Sequence, residues 1–127
     1  MALSSELAAL GLAPALARRL GADVNLTVTA AANNSATGAT LLTASNNLIT
    51  ASGASTNSVL LPSAERGCVM QIQVASGQTT VNVFPQSGET IIDEGAQGAA
   101  GAAITLAATK ALTLFAAGTA WWANRGA

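Results

Sequence analysis

Histidine and tyrosine are absent from this 127-residue chain, cysteine occurs once, and aromatic residues make up only 3%. Without histidine there is no Ser-His-Asp triad, no Cys-His dyad and no imidazole to hold zinc. The single cysteine, Cys68, excludes an intrachain disulfide. At the head of an apolar stretch, with no base to ionise it, Cys68 reads as a small buried hydrophobe. Charge is scarce too: charged residues are 9% and the formal net charge is −1. A nucleic-acid binder needs a basic footprint against phosphates, and the five cations are scattered along the chain. The glycines lack the spacing of a phosphate-binding loop. Glu89, Asp93 and Glu94 form the one group of carboxylates, without the alternating acidic spacing of a calcium loop. They read as a solvated acidic turn. The sequence therefore nominates no catalytic residue, no metal ligand and no cofactor, and an enzyme is not expected.

Half of the residues are hydrophobic, yet much of that half is alanine. Small side chains fill little volume, so a thin core completed by neighbouring subunits is expected. The first residues have Glu6 and Leu/Ala spacing rather than a basic leader pattern, so no signal peptide is expected. The apolar stretch 98–123 contains Lys110 and several glycines, and Leu112 and Leu114 alternate along it. Those features fit strands better than a membrane-spanning helix.

The central pattern runs from Cys68 to Ile92. Met70, Ile72 and Val74 share one parity against Gln71 and Gln73, the period of a half-buried strand. Ala75-Ser76-Gly77-Gln78 supplies turn chemistry, Val81-Asn82-Val83-Phe84 alternates again, and Pro85 ends the ladder. This unit is predicted to be a β-hairpin. Val24–Ala30, Thr40–Thr43, Asn47–Ala51, Ser58–Pro62, Ile104–Ala107, Ala111–Phe115 and Thr119–Ala123 read as further strands, and Ala96–Gly101 as a loop or a close-packed passage where larger side chains would not fit. Trp121 and Trp122 are adjacent in a strand, so they face opposite sides: one belongs to the core and the other covers something else. Residues 2–21 carry the only helical pattern, two short helices separated near Gly11 and Pro14. Leu3, Leu7 and Leu10 share a face of the first; Leu12, Leu16 and Leu20 share a face of the second. That leucine stripe packs either on the chain's own β domain or on a partner or sister subunit. The predicted architecture is mainly β, an antiparallel β-sandwich or jelly-roll-like barrel over 23–127, preceded by a helical arm over 1–22.

One succession has a counterpart. Val59-Leu60-Leu61-Pro62, a turn to Gly67, Met70-Gln71-Ile72-Gln73-Val74, then Val81-Asn82-Val83-Phe84-Pro85-Gln86-Ser87-Gly88-Glu89-Thr90-Ile91 is followed by the strands Ala111–Phe115 and Thr119–Trp122. Over residues 38–123 this order resembles small virion proteins of tailed phages, the head decoration (cement) and head-fibre type. The resemblance implies a β-rich, often trimeric protein on the capsid surface, assembled in the host cytoplasm. It implies contacts with the major capsid protein and sister subunits, and none with nucleic acid or membrane. The candidate interface residues are Leu3, Leu7, Leu10, Leu16, Leu20, Trp121 and Trp122. The alternative is a tail or fibre module, structural or receptor-binding.

Overall fold

The computed structural model describes residues 24–52, 56–65 and 68–125. The helical arm expected over 1–22, with Leu3, Leu7, Leu10, Leu16 and Leu20, lies outside the described residues. Among the described residues there is no helix; the chain is mainly β. Its strands are β1 (Val24–Thr29), β2 (Thr40–Leu41), β3 (Asn46–Ala51), β4 (Ser58–Leu60), β5 (Val69–Val74) and β6 (Val81–Phe84). They continue as β7 (Thr90–Asp93), β8 (Ala96–Gln97), β9 (Ile104–Leu106), β10 (Ala111–Ala116) and β11 (Ala120–Arg125). A seven-stranded sheet has the order β1-β3-β5-β10-β11-β7-β8, and a four-stranded sheet the order β2-β4-β6-β9.

Both sheets are mixed, which corrects the antiparallel expectation. From β1 to β6 the chain alternates between the sheets, and each strand pairs in parallel with the strand two before it. The first half is thus a coil wound through two sheets. β10 pairs antiparallel with β5 and β11 antiparallel with β10, β11 pairs in parallel with β7, and β9 pairs antiparallel with β6. The expected hairpin between Met70 and Phe84 does not form. β5 and β6 belong to different sheets, because the turn at Gly77 (φ 83°) carries the chain across the core instead of back along the same ladder. Corners of successive coils are pinned by polar groups. Ser52 N–H donates to Gln78 Oε1 at 2.8 Å, Thr79 N–H to Ser52 Oγ at 3.0 Å, and Asn57 Nδ2 to Thr79 Oγ1 at 2.6 Å. Ser52 and Asn57 are buried there, so these bonds satisfy groups that water does not reach.

One hairpin does form between β10 and β11. Gly118 takes φ 96° and Thr119 no positive φ, the pattern of a two-residue turn with glycine first. A second joins β7 to β8 through Glu94 (φ 51°) and Gly95 (φ 86°). Two consecutive positive φ values match the twist of paired strands. The strand β8 lies inside the small-residue stretch expected to be a loop or a close-packed passage.

The two sheets share one core. Val28, Ile49, Ile72, Leu112, Leu114, Ile91 and Trp121 of the large sheet belong to the same buried cluster as Val59, Val81, Val83 and Leu106 of the small one. Among the described residues, only Ala30, Ala44, Ala64, Ala116 and Ala123 represent alanine in the buried apolar set. The expected thin core is therefore not seen: branched aliphatic side chains and an indole fill it. The other described alanines lie between strands or at exposed and half-exposed strand positions. The apolar stretch 98–123 is built into β9, β10 and β11.

Candidate functional site

The carboxylates come first, since Glu89, Asp93 and Glu94 are the clustered ionisable groups among the described residues. Glu89 is spent on the segment before β5: its two carboxylate oxygens accept from the Ala64 N–H at 3.1 Å each, and Oε2 accepts from Ser63 Oγ at 3.1 Å. Asp93 accepts two bonds from Arg125, Nε at 2.9 Å and Nη2 at 2.8 Å, a bidentate pair. Glu94 Oε1 accepts from the Arg125 backbone N–H at 2.8 Å. Hydrogen bonding to Asp93, and the Asp93 and Glu94 charges behind it, raise the Arg125 pKa against a smaller opposing effect of burial. The three acids therefore tie β7 and its flanks to Ala64 and Arg125. No group of three or more His, Cys, Asp or Glu side chains suited to a metal ion occurs among the described residues.

Cys68 is exposed, which corrects its reading as a buried hydrophobe. Its carbonyl still accepts from Ala116 N–H at 2.9 Å, but this end of the sheet opens into a depression bordered by Pro62, Ser63, Glu65 and Trp121. The strand period alone does not show where the opposing layer stops.

The two tryptophans face opposite sides. Trp121 is completely buried and donates its Nε1–H to the Pro62 carbonyl at 3.2 Å. It is a core residue, which removes it from the candidate interface. Trp122 is 56% exposed. Strand register then shows what Trp122 belongs to. Phe115 of β10 lies directly opposite both Trp122 of β11 and Val69 of β5, and Trp122 lies level with Ile92 of β7. Val69, Phe115, Trp122 and Ile92 thus form one row across four adjacent strands on the outer face. Side chains directly opposite sit roughly 5 Å apart, close enough to make a continuous apolar stripe. Phe115 is 44% and Val69 49% exposed.

The next row on that face is Asn46, Gln71, Thr113 and Asn124, all uncharged. Beside it, Leu26, Leu48 and Gln73 border a small depression. Val24 and Leu26 reach this outer face because the register of β1 shifts between Asn25 and Val28, so only Val28 onward points inward. The strand expectation for 24–30 placed all four alternating apolar residues on one side; the irregularity splits them. No charged residue occupies an outward position of β5, β7, β10 or β11. A shorter apolar row, Leu41-Leu60-Phe84, crosses the outer face of the small sheet.

Sequence reasoning found Trp122 and missed Val69, Phe115 and Ile92. The signal was available: outward parity is the complement of Met70, Leu112, Leu114 and Ile91. What the sequence did not contain was the strand order that lines the four up. No protein-family model, no curated protein and no solved structure matches this chain.

Proposed function

We propose that this is a structural virion protein, a decoration (cement) protein on the head of a tailed phage that stabilises the capsid lattice by non-covalent contact. The observation that supports it most is the wide, uncharged outer face of the seven-stranded sheet with its apolar row. Contiguous exposed apolar surface of this kind marks a contact surface. The succession of sequence motifs over residues 38–123, which resembles that of head decoration proteins, supports the major capsid protein as the partner. A subunit that both assembles with sisters and sits on a lattice needs two contact surfaces. The outer faces of the two sheets provide a pair, and a homotrimer is the assembly proposed. Burial on the lattice adds stability by mass action, without a catalytic step or cofactor.

The depression beside Trp122 favours a second reading. It has a volume of about 470 Å³ and is bordered by Ile92, Gly95, Gln97, Trp122, Ala123 and Asn124. An exposed indole flanked by two side-chain amides can stack on a sugar ring and hydrogen-bond its hydroxyls. That would suit a tail or fibre module that holds a receptor glycan. Copy number separates the two. Quantitative mass spectrometry of purified particles should give many copies in fixed ratio to the major capsid protein for cement. A few copies per particle would point to the fibre.

A further inference from the structure

The outer face of the seven-stranded sheet is chemically complementary to itself. Asp93 and Arg125 are the charged residues of its strands. They sit level with buried Ala123 and Leu112, on the inward parity, and bind each other. What faces outward is the apolar row Val69-Phe115-Trp122-Ile92 beside the amide and hydroxyl row Asn46-Gln71-Thr113-Asn124. Around a rotation axis each side chain meets copies of itself, so a charge there would meet its like. Amides and hydroxyls both donate and accept, and apolar groups match their own kind. Building on the symmetric assembly proposed above, we propose that the occupant of this face is a second copy of the chain. Sister subunits turn their seven-stranded sheets towards the symmetry axis, and the outer face of the four-stranded sheet is left for the lattice.

Size agrees with a face-to-face contact. β1, β3, β5, β10 and β11 have six residues each, whereas the strands of the small sheet have two to four. Five strands about 4.8 Å apart, with six residues of about 3.4 Å each, cover roughly 500 Å² in plan. β7 and β8 widen that, and the relief of the side chains brings the face to the order of the 800 Å² that each partner gives to a standard interface. The small sheet, with fewer and shorter strands, offers less. Neither edge of the large sheet is a regular template for strand addition. In the edge strand β1 the register shifts between Asn25 and Val28, and the Thr27 N–H donates to Asn25 Oδ1 at 3.0 Å. At the other edge, β8 is two residues long. Copies are therefore matched by their faces rather than by their edges. β10 is the middle strand of the seven, so Thr113, level with Gln71 and Asn124, lies at the centre of the contact.

The test reads mass in solution by light scattering, on the full chain at several concentrations. The native chain is expected to give a mass above that of one subunit. Thr113→Lys and Thr113→Glu, each alone, set like charges against one another. Each is expected to raise the concentration needed for association by about tenfold or more, with recovery in high salt. An equal mixture of the two is expected to return most of the native mass, because opposite charges then meet. Only copies that face each other through Thr113 give that rescue. With the first residues of the same chain or the capsid protein as the occupant, the mixture associates no better than its components, which would overturn the proposal. Native mass in either variant alone, or a native chain that stays monomeric at every concentration, would overturn it too. Where a Thr113 variant loses its β-rich circular dichroism, Gln71→Lys and Gln71→Glu in the same row carry the same expectations. A native monomer that still decorates particles in many copies leaves the decoration reading standing, because copy number decides that separately.

Discussion

Two adjacent tryptophans do opposite work here, and the difference is measurable. Trp121 fills the core and satisfies its N–H on Pro62, so Trp121→Ala leaves both a large cavity and a carbonyl without its donor. A loss of about 3–5 kcal/mol is expected by chemical denaturation. Trp122→Asp removes no core contact and should change the stability of the β body by only about 0.5 kcal/mol. Glu89 ranks between them: Glu89→Ala strips three acceptor contacts from Ala64 and Ser63, and a loss of about 1–2 kcal/mol is expected in the same assay. The Arg125–Asp93 pair is bidentate but about one-third exposed, at 32% and 27% side-chain accessibility, so water screens it. Asp93→Asn should cost less than about 1 kcal/mol. The opposite facing of the pair was legible from the sequence, because adjacent strand residues must diverge. The exposure of Cys68 was not, since parity says which side a residue faces and not whether a second layer lies there.

Most strands were legible as elements, because Met70/Ile72/Val74 and Leu112/Leu114 alternate cleanly against polar neighbours. Their partners were not. A period of two is the same in a hairpin and in a coil that crosses between sheets, and only the turn decides. Ala75–Gln78 crosses the core, whereas Gly118-Thr119 and Glu94-Gly95 reverse the chain. The last of these has the form of an Asp-Gly hairpin signal with one more methylene, which is why β8 hid inside a run of small residues. Gly118 has φ 96°, a region that side chains with Cβ rarely enter. Gly118→Ala should cost about 1 kcal/mol and lower the thermal midpoint. At the coil corners, Thr79→Val removes the hydroxyl that accepts from Asn57 and donates to the Ser52 carbonyl. Because Ser52 and Asn57 are buried, a loss of about 1–3 kcal/mol is expected in denaturant titrations.

At the scale of the molecule, the small charge content and the missing histidine set the limits early and favour the proposed reading of a protein that acts through surface rather than chemistry. The surface itself became visible only when strand order brought Val69, Phe115, Trp122 and Ile92 into one row. These residues are separated in sequence and carry no shared motif. The core, by contrast, follows directly from the inward parity of each strand. The most direct measurement is the copy number of the protein on purified particles, for the native chain and for Phe115→Asp with Trp122→Asp. The account predicts a fixed, high ratio to the major capsid protein for the native chain. It also predicts loss of attachment in the variant while its far-ultraviolet circular dichroism stays β-rich. Native-like attachment of the folded variant, or a native copy number of only a few per particle, would contradict it.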